Sequence, residues 1–116
     1  MNNLNGNNKN KMLNKYDDDA YVTELRKIHP GRDIEIVAGV DFGEMYEWDV
    51  AFVYRVYDMD LYYVGEGCGC SCNWYEDSAG YEDLMQFTSR RAVLTYLRNS
   101  DEDKLKELHR ELTKTR

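Results

Sequence analysis

The segment from Glu47 to Tyr57 constrains the fold of this chain more than any other. Val50, Phe52, Tyr54 and Val56 recur there at every second position, with Ala51, Val53, Arg55 and Tyr57 between them. A period of two, carried by β-branched and aromatic residues, belongs to a strand and not to a helix. Asp58-Met59-Asp60 is a short connection, and Leu61-Tyr62-Tyr63-Val64 returns, so the two segments should pair as an antiparallel hairpin. Ile34 to Val40 alternates in the same way, with Ile34, Ile36, Ala38 and Val40 expected on one face and Asp41-Phe42-Gly43-Glu44 as the turn that follows. About three strands with an apolar face need helices to cover it. The expected class is therefore α+β: a small antiparallel sheet, helices packed on one face, and a helical C-terminal part.

The helices have their own signals. Asp17, Asp18 and Asp19 supply an N-cap and favourable charge to a helix running from about Asp18 to Ile28. Tyr21, Val22, Leu25 and Ile28 form its apolar face, and His29-Pro30-Gly31 ends it. A short helix is expected around Glu82–Phe87. Thr88 or Ser89 then caps a helix from Arg90 to about Arg98, and Ser100 with Asp103 resembles a capping box before a last helix bearing Leu105, Leu108 and Leu112. Residues 1–15, dominated by asparagine, read as a flexible tail, which leaves residues 16–116 as a single domain.

Charge is segregated along the chain. The net charge of −7 conceals thirteen acids against only Arg32 and Arg55 over residues 31–88, a balance of −11, while residues 89–116 carry eight bases and five acids. Such a chain is a poor candidate for direct nucleic-acid binding, because phosphate contacts require clustered Lys and Arg. No apolar run is long enough for a membrane span, and no basic segment leads into the apolar core of a secretory signal. Two readings of the charge follow. In one, the basic C-terminal helices neutralise the acidic body. In the other, the acids form a docking surface for a partner protein with a basic surface. Tyrosine and tryptophan favour interfaces, and here they cluster with acids at Tyr46-Glu47-Trp48-Asp49, Tyr57-Asp58 and Trp74-Tyr75-Glu76-Asp77. The expected binding residues are Glu44, Glu47, Asp49, Asp58, Asp60, Trp74, Tyr75, Glu76 and Asp77. Tyr54 and Tyr63 are assigned to the core.

All three cysteines lie in Cys68-Gly69-Cys70-Ser71-Cys72. An odd number at this spacing is no disulfide framework, and points to a reducing compartment, the cytoplasm of a host cell. If the segment is extended, the thiols share one face. Tetrahedral zinc takes four ligands, commonly from CxxC loops, so a site at Cys68, Cys70 and Cys72 would need to recruit His29, a carboxylate such as Asp77, or a second chain. The simpler reading is a tight turn after the hairpin, with no cofactor. The acidic surroundings oppose a nucleophilic thiolate. No nucleotide-binding glycine motif and no calcium loop is present, and no enzyme activity is expected.

Tyr46 and Asp49 on the hairpin, followed by Gly69-Cys70-Ser71-Cys72 and Tyr75-Glu76-Asp77, resemble a family of small uncharacterised bacteriophage proteins. The similarity covers about residues 46–77. Proline commonly follows the second of that family's cysteines; Asn73 stands in its place here, and Cys68 is additional. The resemblance implies a phage origin and brings no activity with it. Together with the charge, it sets the expected function: a small acidic protein that works by protein–protein binding, most concretely by inhibiting a host nucleic-acid-binding defence enzyme. A zinc-binding or virion-structural module built on the cysteine cluster is the alternative.

Overall fold

The computed structural model describes residues 20–44, 47–70 and 84–115. The asparagine-rich tail, Asp17 to Asp19, Tyr46, Cys72 and the Trp74–Asp77 segment lie outside these residues. Among the described residues the elements are α1 (Ala20–Ile28), β1 (Ile34–Asp41), β2 (Glu47–Val56), β3 (Leu61–Cys70), β4 (Met85–Phe87), α2 (Arg90–Arg98) and α3 (Asp103–Thr113). The strands form one antiparallel sheet in the order β1-β2-β3-β4. The α+β class and the antiparallel sheet agree with the sequence. The fourth strand and the placement of the helices differ from it.

Both faces of the sheet are covered. Val50, Phe52, Tyr54 and Val56 of β2, with Leu61 and Tyr63 of β3, pack against Tyr21, Val22 and Leu25 of α1. Ala51 and Val53 point the other way and join Tyr62 and Val64 under Val93 and Leu97 of α2 and Leu105, Leu108 and Leu112 of α3. The expectation of helices on a single face fails because Ala51 and Val53 are as apolar as their neighbours, so the strand is hydrophobic on both sides.

β1 departs from simple alternation. Ile36 pairs with Tyr54, but Ala38 pairs with Val53, so one residue is inserted between them. This bulge reverses the facing of the strand. Ile34 and Ile36 lie against the α1 core, whereas Ala38 and Val40 lie in the α2–α3 core. The four residues expected on one face are thus divided between two, and β1 contributes to both cores.

The segment around Met85–Phe87 is a strand and not part of a helix. Phe87, Gln86 and Met85 pair with Tyr62, Tyr63 and Val64. A helix this short gains few internal hydrogen bonds, whereas pairing with β3 satisfies the backbone and seats Phe87 against Tyr96 at 5.2 Å. Ser89 caps α2 as expected, its Oγ accepting from the Ala92 amide at 3.1 Å. Ser100 does not cap α3. Its hydroxyl accepts from the Glu102 amide, and the N-cap position belongs to Glu102, which makes no side-chain capping bond.

β3 runs on to Cys70, so the glycine-cysteine segment begins as strand and not as a tight turn. Gly65 shows why glycine is needed there. A Cβ at that position would come within 2.9 Å of the Tyr21 ring and 3.0 Å of Leu84. The bare backbone lets Tyr21 lie across β3 and donate its hydroxyl to the Glu66 carbonyl at 3.1 Å, which ties α1 to the sheet.

Candidate functional site

The sheet separates the acids expected to form one surface. Glu44 and Glu47 are exposed at the β1–β2 connection, and Asp49 lies half-buried just inside it. Asp58 and Asp60 are exposed in the β2–β3 turn at the opposite end. β2 spans the distance between them, about 30 Å at the usual rise per strand residue. Trp74, Tyr75, Glu76 and Asp77 lie outside the described residues. The described acids therefore form two terminal patches, one at each end of the hairpin.

The connection end is organised by Asp41. Its Oδ1 accepts from the amides of Gly43 at 2.8 Å and Asp49 at 3.2 Å, while the Phe42 amide donates to the Asp49 carbonyl. Asp41 thus holds the turn, and Glu44 and Glu47 project beyond it. Beside them, Lys104 reaches across from α3 to Asp49 at 2.6 Å and Glu66 at 3.6 Å. Burial lowers the pKa of Lys104, but the hydrogen bond and charge of Asp49, with those of Glu66, outweigh it and the net shift is upward. Tyr96 is also pushed up, first by burial and then by the charges of Glu66 and Glu102, so its phenol stays neutral.

The turn end has a different character. The Tyr57 amide donates to the Asp33 carbonyl at 2.9 Å, which fastens the start of β1 to the end of β2. Asp58 adopts a left-handed conformation with φ 72°, which aspartate tolerates better than most residues. Asp33 and Glu35 are exposed beside Asp58 and Asp60. The guanidinium of Arg55 lies 5.7 Å from the centre of the Tyr57 ring.

The basic helices do little to neutralise this acidic body. Arg90 directs its guanidinium at the end of α3, donating to the carbonyls of Leu112 and Thr115 at 2.8 Å each. Arg110 pairs with Glu107 within α3, and Lys114, just past its end, pairs with Glu111. Among the described residues, Lys104 is the one helix base that crosses to the sheet acids. Neither role was read from the sequence. For Arg90 a signal existed: Arg at the start of a helix opposes the helix dipole and asks for another partner. For Lys104 the signal was its position four residues before Leu108, at the margin of the apolar face.

Among the described residues, the tyrosines serve the core more than the surface. Tyr21, Tyr54, Tyr62 and Tyr63 are buried, whereas Tyr57 is half exposed. The expected core placement of Tyr54 and Tyr63 holds.

At the cysteines, the register sets Cys68 opposite Asp49 and Cys70 opposite Glu47, and Cys68 is a free, exposed thiol. His29 is not available to them. Its Nε2 lies 3.1 Å from the hydroxyl of Tyr63, whose side chain packs against α1 on the other side of the sheet. Among the described residues no three His, Cys, Asp or Glu side chains converge as a metal-binding group; Cys72 lies outside them. No helix among them is long and apolar enough to cross a membrane.

These features define a four-stranded antiparallel meander with helices on both faces and an acidic patch at each end of its central hairpin. The chain belongs to a family described as a domain of unknown function (DUF7574), whose model matches residues 29–115. The match takes in the whole sheet, α2 and α3, and begins just after α1. No curated protein and no solved structure matches the chain.

Proposed function

We propose that this chain is a binding protein without catalytic activity, which docks its acidic surface onto a basic surface of a partner protein. The observation that carries this reading is how the basic helices use their charge. Arg90, Arg110 and Lys114 are engaged within the helical layer, and among the described residues Lys104 is the helix base that reaches the sheet acids. Glu44, Glu47, Asp58 and Asp60 are exposed, and among the described residues no helix base pairs with them. Among the described residues, pairing of helix bases with sheet acids involves Asp49 and Glu66.

In its most concrete form, the partner is a host nucleic-acid-binding defence enzyme, and the carboxylates occupy the groove that normally receives phosphates. The resemblance of residues 46–77 to small bacteriophage proteins supports a host target. Interactions of this kind are steered by long-range charge and weaken as salt rises.

The test is capture from host lysate at low and high salt, with the wild-type chain and a variant carrying Glu44→Lys, Glu47→Lys, Asp58→Asn and Asp60→Lys. The wild type should retain a basic nucleic-acid-binding protein at low salt and release it at high salt. The variant should fail to retain it while melting at an unchanged temperature. Retention by the folded variant would refute the reading.

A further inference from the structure

α1 lies on the sheet as a helix lies in a groove. It is held by a short row of side chains: Tyr21, Val22 and Leu25, at i, i+1 and i+4, are each 2% exposed or less, whereas Ile28 is 41% exposed. Tyr21 fills a slot in β3. Gly65 leaves room for its ring beside Leu84, and the Tyr54 ring meets it edge-on with centroids 6.0 Å apart. The Glu66 carbonyl closes the slot by accepting from the Tyr21 hydroxyl at 3.1 Å. Among the described residues β4 pairs with β3 as far as Val64, so this carbonyl lies just past the end of that pairing. The two sides of the sheet also differ in composition. Beneath α2 and α3 the core is mainly Val and Leu. Beneath α1 the sheet presents Phe52, Tyr54 and Tyr63, and the Tyr63 hydroxyl meets His29 Nε2 at 3.1 Å. Rings with a polar handle mark surfaces that receive a partner more than sealed interiors.

We propose that this face of the sheet is a tyrosine-anchored groove for an amphipathic helix, which α1 occupies in cis as a displaceable strap. A helix from outside fits when it presents Tyr, with aliphatic residues one and four positions further on, as Tyr21, Val22 and Leu25 do. The slot and the sheet residues of the groove fall within residues 29–115, the part matched by the family, and α1 precedes them. α1 is joined to that part by His29-Pro30-Gly31, with Gly31 in a left-handed conformation at φ 81°. Nine residues make a marginal helix on their own, so leaving the groove and unfolding are one event for α1. The sheet keeps the aliphatic core under α2 and α3 when this happens. Binding here uses neither acidic patch.

The experiment follows amide hydrogen exchange of the full chain in low urea, and then titrates the chain with a fluorescent peptide of residues 20–32. The α1 amides should exchange about tenfold or more faster than those of central β2, through an opening that leaves β2, α2 and α3 protected. The peptide should bind saturably, and a peptide carrying Tyr21→Ala should not. Tyr21→Phe in the chain loses the bond to Glu66. Opening of α1 and apparent affinity for the wild-type peptide should then rise together, by about fivefold. Gly65→Ala fills the slot, so α1 should open more readily while peptide uptake is lost. Exchange of α1 only in step with β2 would overturn the inference. So would an α1 that opens without peptide uptake by the wild-type chain, or uptake undiminished by Gly65→Ala.

Discussion

Lys104 offers the sharpest test of how the helical layer is held to the sheet. Its side chain retains only 15% of its exposure, while Asp49 and Glu66 retain 42% and 35%. Replacing it by methionine preserves the aliphatic stem over the sheet and removes the charge. Asp49 and Glu66 then face each other across adjacent strands without a counter-ion. An exposed pair contributes about 0.2–1 kcal/mol, and removal of one partner from a buried pair costs about 3–5 kcal/mol. The mixed exposure here places Lys104→Met near the lower end of that span, at about 1–2 kcal/mol. For a domain of this size that is a fall in Tm of roughly 4–10 °C. The pH dependence adds a second reading. The pKa of Lys104 is raised above the ordinary 10.5, so the fold favours the charged form. Its contribution is complete below pH 10.5 and is lost as the pH climbs through the raised value. Urea unfolding of wild type and Lys104→Met should therefore show a constant difference from neutral pH to about pH 9.5, shrinking above 10.5. Equal stabilities at pH 7 would show that the pair contributes nothing. A difference that persisted undiminished in strong alkali would assign it to packing of the side chain and not to its charge.

Three further outcomes follow from single features. Gly65→Ala sets a methyl against the Tyr21 ring and Leu84, so stability should fall by about 1–3 kcal/mol, with amide exchange in α1 accelerated most because Tyr21 is its tether. Asp58→Gly relieves a left-handed residue in the turn and should raise stability by up to about 1 kcal/mol in denaturant unfolding, whereas Asp58→Val should lower it. Native mass spectrometry of protein purified without chelator should give the apo mass, and EDTA should leave the melting temperature unchanged; bound zinc would reinstate the cysteine cluster as a metal site.

The sequence conveyed the existence of elements better than their facing. β2 was legible because strict alternation of large apolar residues has one physical meaning. The bulge in β1 was not, since Ile34, Ile36, Ala38 and Val40 keep perfect spacing and only the pairing register betrays the inserted residue. β4 was missed for a related reason. Three residues carry no period of their own, and Met85–Phe87 becomes a strand through β3 alone. Gly65 carries no local signal either; the reason for it, the close approach of Tyr21, is a long-range contact.

The candidate site divides in the same manner. Charge segregation was plain from composition, but composition has no geometry, and the hairpin carries Glu44 and Glu47 one strand-length from Asp58 and Asp60. The decisive residues are the few that break a local preference. Arg90 opens a helix where an acid would suit the dipole, and it is found on the carbonyls that end α3. Arg55 sits beside Glu35 without pairing and keeps a buried donor without an acceptor. Arg90 resolves its conflict within the chain. For Arg55 the described residues offer no such resolution, and its guanidinium rests on the Tyr57 ring alone.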